Sequence, residues 1–157
     1  ENTFVRMRSI LDYAVKIALE AERDDVDFSV YPKLKGAGKQ FSDKKILKMN
    51  NRPGTVFEGS ELFREIASVR DRVIHDGHFD ISARVYESFK RGRLVERFVL
   101  VPDMTEGKFD VFRNRRNFFG SDNKINLRLP NILDDFYGRV RTTIDIIHDS
   151  YAKRRRS

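Results

Sequence analysis

The chain has 157 residues with a hydrophobic fraction of 39%, which is enough for one domain with a modest core and a heavily charged surface. Its formal net charge of +7 favours anionic partners, above all nucleic acid, although the same charge could serve only to keep the protein soluble. The absence of cysteine excludes disulfides, thiolate nucleophiles and cysteine-ligated zinc. No apolar stretch reaches the ~18 residues that span a membrane, so we expect a cytoplasmic protein without a membrane partner.

Residues 3–23 are predicted to form the first helix, because their apolar residues recur at spacings of three and four. This stripe is broad enough to pack against more than one neighbour. It consists of Phe4, Met7, Leu11, Ala14, Ala18 and Ala21, and is widened by Ile10 and Ile17. Residues 28–57 are harder to interpret, since Pro32 and the glycines at 36 and 38 break structure. Within them a short helix could open at Ser42, and a turn is predicted at 50–54.

Residues 60–76 give the most regular helical pattern of the chain. Ser60 suits the N-cap, Glu61 suits the first turn, and Gly77 suits the end. The predicted core stripe is Leu62, Ile66, Val69 and Val73.

The stretch from 81 to 128 carries strand signals. Residues 94–101 are rich in β-branched and apolar side chains, and residues 108–113 alternate polar with apolar ones across a turn at Glu106-Gly107. We expect these two segments to pair as a β-hairpin inserted between helices, at about 93–128.

A last helix is predicted over 130–152, with Pro130 in its first turn. Its apolar stripe is Leu133, Phe136, Val140, Ile144, Ile147 and Tyr151. The fold class expected is therefore mainly α: a helical bundle of three to five helices with an inserted β-hairpin. It would form a single domain over 1–152, followed by a basic tail at 153–157.

Chemistry is concentrated at the end of the second predicted helix, in Arg70, Asp71 and His75. Asp71 and His75 are four residues apart and share the outward face, so the carboxylate is expected to contact and orient the imidazole. Arg70, on the flank, can bind a phosphate, while histidine moves protons near neutral pH. RNA supplies its own nucleophile in the 2′-hydroxyl, and two copies of the pair would provide all the groups needed. The alternative interpretation is that Arg70 and His75 are surface residues of an ordinary helix end.

An arginine, a polar residue and then a histidine near the end of a core helix resembles the motif of HEPN domains. The match covers residues 70–75, and the helix pattern extends it loosely along the chain. The resemblance implies an all-helical, commonly dimeric, metal-independent endoribonuclease of toxin–antitoxin or antiviral defence systems, working with a possible antitoxin or defence partner protein. It also implies that Arg70 and His75 are catalytic and that Asp71 supports them. A non-catalytic nucleic-acid-binding or protein-interaction module is the alternative, and the hairpin departs from a bare helical bundle.

A second candidate surface interleaves cations with aromatic rings, a composition that can bind phosphates and stack bases. Its residues are Arg113, Arg115, Arg116 and Phe118, to which Arg72 beside the motif is added. The phenylalanines of this stretch could instead pack on the bundle. Arg91 and Arg93 could extend the basic surface. His75, Asp76, His78 and Asp80 together suggest a metal site, but Gly77 interrupts the helix between them, so neither a metal nor another cofactor is expected.

Overall fold

The computed structural model describes residues 2–22, 51–76, 84–110, 119–121 and 123–154. This part of the chain is mainly helical, as predicted, and it contains two small β-hairpins where one was predicted. Its elements are α1 (Asn2–Glu22), α2 (Glu61–Asp76), β1 (Tyr86–Lys90), β2 (Arg93–Phe98), β3 (Met104–Thr105), β4 (Lys108–Phe109) and α3 (Ile125–Arg154). The size of the bundle stays a prediction, and the short helix expected from Ser42 lies outside the described residues.

Helix α1 packs against α2 and α3 through the predicted face. Phe4, Met7, Leu11 and Ala18 are buried on it, and so is Val15, which the sequence prediction omitted. Ile17 was predicted to widen the core stripe, but its side chain is 52% exposed. Successive residues turn by about 100° round a helix, so Ile17 lies well away from its buried neighbour Ala18.

Helix α3 begins five residues before the predicted start. The Ile125 amide donates to the Val99 carbonyl at 2.9 Å, and the Lys124 carbonyl accepts from the amides of Leu127 and Arg128 at 3.1 and 3.0 Å. These bonds start the helix on the chain that leaves β2, so Pro130 lies inside the helix and not in its first turn. The helix also runs to Arg154, into the predicted basic tail.

The buried face of α3 contains Ile132, Phe136, Thr143 and Ile147. Phe136 and Ile147 were predicted for the core, and Leu133 and Val140 are partly buried against it. Ile144 was also predicted for the core, but its side chain is 51% exposed, because the helix turns about 100° between it and buried Thr143.

The predicted strand pairing is wrong. Strand β2 pairs antiparallel with β1, from Tyr86 opposite Phe98 to Lys90 opposite Arg93. The described start of the predicted partner segment, Lys108 and Phe109, pairs instead with Thr105 and Met104. Arg91 and Gly92 between β1 and β2 have φ angles of 51° and 74°, as in the two-residue turn whose twist matches a hairpin. The strand-rich region therefore begins at Tyr86, upstream of 93. The turn predicted at Glu106-Gly107 is confirmed, but it joins only the two-residue strands β3 and β4.

The segment before α2 contributes to the core, although the sequence indicated only a turn there. Thr55, Val56 and Phe57 are buried, and the Val56 amide donates to Thr143 Oγ1 at 3.0 Å. The Thr143 hydroxyl donates in turn to the Arg139 carbonyl at 2.7 Å, so its oxygen serves both segments. Among the helices described here, none combines the length and the apolar character that crossing a bilayer requires.

Candidate active site

Helix α2, which carries the predicted motif, is fixed on one side by the β3–β4 turn. The Ser68 hydroxyl donates to the Gly107 carbonyl at 2.7 Å. A Cβ on Gly107 would lie 2.8 Å from Arg64 Cβ, 2.8 Å from the Glu65 amide nitrogen and 2.9 Å from the Glu61 carbonyl oxygen. Only glycine allows this turn, with its φ of 76°, to approach the helix backbone so closely.

The three predicted catalytic residues lie in the last two turns of α2, where each side chain is at least partly exposed. Arg70 Nη1 donates to Asp71 Oδ1 at 2.7 Å, and the two side chains are 36% and 54% exposed. His75 is exposed in the last turn, and it forms no hydrogen bond or ion pair with the part of the chain that is described. The exposure of Asp71 and His75 and the half-buried position of Arg70 agree with the predicted outward face and flank.

The partner of Asp71 differs from the expectation. The i,i+4 spacing predicted a contact between Asp71 and His75, whereas the carboxylate turns to the neighbouring Arg70. An arginine guanidinium is always charged and offers several donors to a carboxylate, which favours Arg70 as the partner of Asp71. In this conformation Asp71 positions the arginine and leaves the imidazole of His75 to solvent.

The ion pair has a geometric consequence for the site. Arg70 and His75 are five residues apart, so their Cβ atoms are separated by about 140° round the helix and about 7.5 Å along it. Asp71 lies between them in angle, and its Cβ lies about 5–6 Å from that of a residue four positions on, as His75 is. By holding the Arg70 guanidinium, Asp71 draws the positive charge from the flank towards the outward face that carries His75.

Arg72, predicted to bind nucleic acid, faces the β3–β4 hairpin. Its guanidinium carbon lies 5.4 Å from the centre of the Phe109 ring. The other residues predicted for that surface, Arg113, Arg115, Arg116 and Phe118, lie outside the described residues.

Asp103 anchors the chain on both sides of 111–118, a role that the sequence did not reveal. Its backbone carbonyl accepts from the Asp110 amide at 2.8 Å. Its carboxylate accepts from the amides of Gly120 at 2.6 Å and Ser121 at 3.1 Å, and from Asn123 Nδ2 at 3.2 Å. Burial alone would raise the pKa of this carboxyl, but the hydrogen bonds from Ser121, Gly120 and Asn123 outweigh it and hold the pKa below its usual value.

A cavity of about 520 Å³ lies elsewhere, between the start of α2 and the middle of α3. Both of its arginines are paired with carboxylates: Arg128 with Glu65 at 2.7 Å, and Arg139 with Asp135 at 2.8 Å. Arg139 also lies 3.3 Å from Glu58. None of the predicted site residues lines this cavity, and its guanidinium groups are already neutralised.

No cluster of three or more histidine, aspartate or glutamate side chains suited to a metal ion occurs in the described ranges. The side chain of Asp76, together with His78 and Asp80, lies outside them. The expectation of no metal therefore stays a prediction.

Comparison with protein-family models yields no match, and no curated protein or solved structure is significantly similar to the chain. The resemblance to HEPN domains consequently rests on residues 70–75 and on the helical pattern. The last two turns of α2 carry a guanidinium held by a carboxylate and, five residues further along the helix, an exposed histidine.

Proposed function

We propose that the chain is a metal-independent endoribonuclease of the HEPN type, in which Arg70 and His75 act on the scissile phosphate of RNA. One observation carries the proposal. The Arg70 guanidinium is oriented by Asp71 at 2.7 Å, on the same exposed helix end as a histidine that no described residue engages. A preoriented guanidinium can bind a phosphate through two parallel hydrogen bonds.

The reaction needs three things of the protein. The ribose 2′-oxygen loses its proton to a base and attacks phosphorus, the phosphate charge is bound, and the departing 5′-oxygen receives a proton from an acid. The products are a 2′,3′-cyclic phosphate and a 5′-hydroxyl. One imidazole cannot be base and acid in the same step, so we propose a homodimer in which two His75 side chains share these roles and Arg70 binds the phosphate.

The test is incubation of the full chain with tRNA and mRNA in EDTA. His75→Ala should lower the cleavage rate by about 10²- to 10⁴-fold, the usual contribution of a general acid or base. Arg70→Ala should abolish detectable cleavage, and both variants should keep the helical circular dichroism of the parent, because these side chains lie outside the core. Matched controls are His148→Ala and Arg141→Ala, which remove exposed residues of the same types from α3 and should leave the rate unchanged. Full activity in the His75→Ala protein would refute the proposal.

A non-catalytic nucleic-acid-binding module is the second candidate. The ion pair with Asp71 weakens the attraction of Arg70 for a scissile phosphate, whereas the net charge of +7 leaves other cations to bind nucleic acid. Such a protein would bind RNA with a steep salt dependence and leave its length unchanged. An antitoxin or defence partner that acts with the chain in either role would be detected as a co-purifying protein.

A further inference from the structure

The β1–β2 hairpin stands out from the rest of the described chain because its surface is charged and apolar at once and is largely exposed. All of β1 is exposed, as are four of the six residues of β2. A two-stranded hairpin on its own is only marginally stable in water. These exposed side chains contribute little to a core, so a ligand that binds the hairpin is a better explanation of its composition.

The carboxylates of the hairpin are already engaged. Glu87 accepts from Arg97 Nε at 2.7 Å, across the strands. Glu96 accepts from Lys124 Nζ at 2.7 Å and from Asn126 Nδ2 at 3.2 Å. These hydrogen bonds, that of Lys124 first, lower the pKa of Glu96 and keep it charged and committed to Lys124. Neither carboxylate is thus free to neutralise the cations at the tip.

The tip consists of Lys90, Arg91, Gly92 and Arg93, and its three cations form no ion pair with any residue that the structure describes. Lys90 and Arg93 are opposite each other in the register, which places two positive charges on one face of the sheet. Like charges directly across a strand pair are destabilising. Folding alone offers no compensation for this arrangement, whereas a bound polyanion would remove the repulsion.

An apolar surface lies directly behind the tip. Phe89 is opposite Leu94 in the register, and Val95 follows at the irregularity of the ladder. Their side chains are 60%, 43% and 61% exposed. Successive pairs of a ladder point to opposite faces, so Phe89 lies on the face opposite Lys90 and Arg93. A single strand that crosses the edge of the tip can therefore stack a base on the exposed Phe89 ring while its phosphates contact the cations.

The order of these features distinguishes nucleic acid from a membrane. A hairpin that enters a bilayer must bury its tip first, and here the tip is the charged part, which is costly to place in hydrocarbon. Apolar residues behind a charged tip instead suit a ligand that is itself charged on the outside and aromatic within. We propose that the β1–β2 hairpin is a binding surface for single-stranded nucleic acid, whose phosphates contact Lys90, Arg91 and Arg93 and whose bases stack on Phe89.

The experiment measures fluorescence anisotropy of labelled oligonucleotides with the full chain over a range of salt concentrations. The probes are 2′-O-methyl oligouridylate and oligothymidylate, neither of which has a 2′-hydroxyl, so cleavage cannot interfere. The charge variant is Lys90→Gln/Arg91→Gln/Arg93→Gln. Its matched control, Arg6→Gln/Arg141→Gln/Lys153→Gln, removes the same charge from exposed positions on α1 and α3.

The charge variant should bind more weakly and should reduce the slope of log affinity against log salt by about 2, since each phosphate contact on a single strand contributes about 0.7. The control should retain the parental slope. Phe89→Ala should weaken binding by at least about five-fold without changing the slope, and Phe89→Tyr should restore it. The comparison of the two probes identifies RNA or DNA as the preferred strand.

Three results would overturn the inference: equal loss of affinity in the charge variant and its control, binding of duplex but not of single strands, or binding of phosphatidylserine vesicles in place of either oligonucleotide. Because the probes cannot be cleaved, these outcomes are separate from those for the nuclease. A protein that binds through the hairpin but leaves RNA intact would contradict only the proposed endoribonuclease.

Discussion

Replacement of Gly107 by alanine tests the packing that fixes α2. The added Cβ would lie 2.8 Å from the Glu65 amide nitrogen and 2.9 Å from the Glu61 carbonyl oxygen, and neither can rotate away, because both belong to the helix backbone. A left-handed φ for a residue with a Cβ costs about 1–2 kcal/mol, and forcing an extra carbon into a packed site costs about 1–3 kcal/mol. We therefore expect Gly107→Ala to lower the free energy of unfolding by about 2–5 kcal/mol.

Gly92→Ala is the matched control. Gly92 occupies the same position in an equivalent turn, with a φ of 74° against 76° for Gly107, but a Cβ there would meet no atom within 4 Å. It should cost only the backbone contribution of about 1–2 kcal/mol. Urea unfolding of the parent and both variants measures the difference, which is the contribution of the helix contact alone. Equal destabilisation by the two substitutions would show that the turn does not press on α2, and would refute the reasoning.

Two further substitutions test buried polar contacts. Thr143→Val removes the acceptor of the buried Val56 amide and should lower the free energy of unfolding in urea by about 1–3 kcal/mol. Thr142→Val is the control and should leave it almost unchanged, because the exposed Thr142 hydroxyl only donates to the Gly138 carbonyl. Similar losses in the two variants would contradict the role of Thr143. The pKa of Asp103 is lowered in the folded state, so its carboxylate stabilises the fold above the unfolded pKa of about 3.9, and this contribution is lost as pH falls through the lower folded value. Asp103→Asn should therefore reduce the free energy of unfolding at pH 7 and make that free energy fall less steeply between neutral pH and pH 3. If the variant loses stability in acid as steeply as the parent, Asp103 does not govern the acid sensitivity of the fold.

Elements whose bounds depend on local sequence patterns were predicted well, and elements whose bounds depend on contacts between distant residues were not. The bounds of α1 and α2 were predicted to within a residue, because their apolar spacing is a local property that packing then used. The start of α3 was missed by five residues, since it depends on the bond from Ile125 to Val99 across the chain. The strand pairing failed for a related reason: Arg91-Gly92 and Glu106-Gly107 both adopt positive φ, and only the first turn has strands long enough to form a substantial hairpin.

At the candidate site, the outward placement of Asp71 and His75 and the flanking placement of Arg70 followed from helical periodicity, and the structure agrees, with Arg70 half-exposed. The partner of Asp71 could not be predicted from the sequence, because helical spacing shows which side chains are neighbours but not which of them binds the carboxylate more strongly. The close approach of Gly107 to α2 and the bonds of Asp103 join residues distant in sequence, and in the sequence each residue looks like an ordinary turn former.

The arginines that line the cavity and the cations of the hairpin tip differ in their partners. Arg128 and Arg139 lie against the helices with carboxylates within 3 Å, whereas the cations of the hairpin tip have none among the described residues. Arg70 is intermediate, exposed yet bound to Asp71, so Asp71 either orients the guanidinium for phosphate or merely neutralises it.

Asp71→Asn distinguishes these two roles. If Asp71 positions Arg70, the loss of its charge loosens the guanidinium, and a misplacement of this kind can lower kcat by up to about 10²-fold. KM should not rise, because a negative charge beside the phosphate has been removed. Asp145→Asn, which removes an exposed carboxylate from α3, is the control and should leave both constants unchanged. A rise in kcat in the Asp71→Asn protein would show that the carboxylate restrains the arginine, and the ion pair would then argue against the proposed cleavage site.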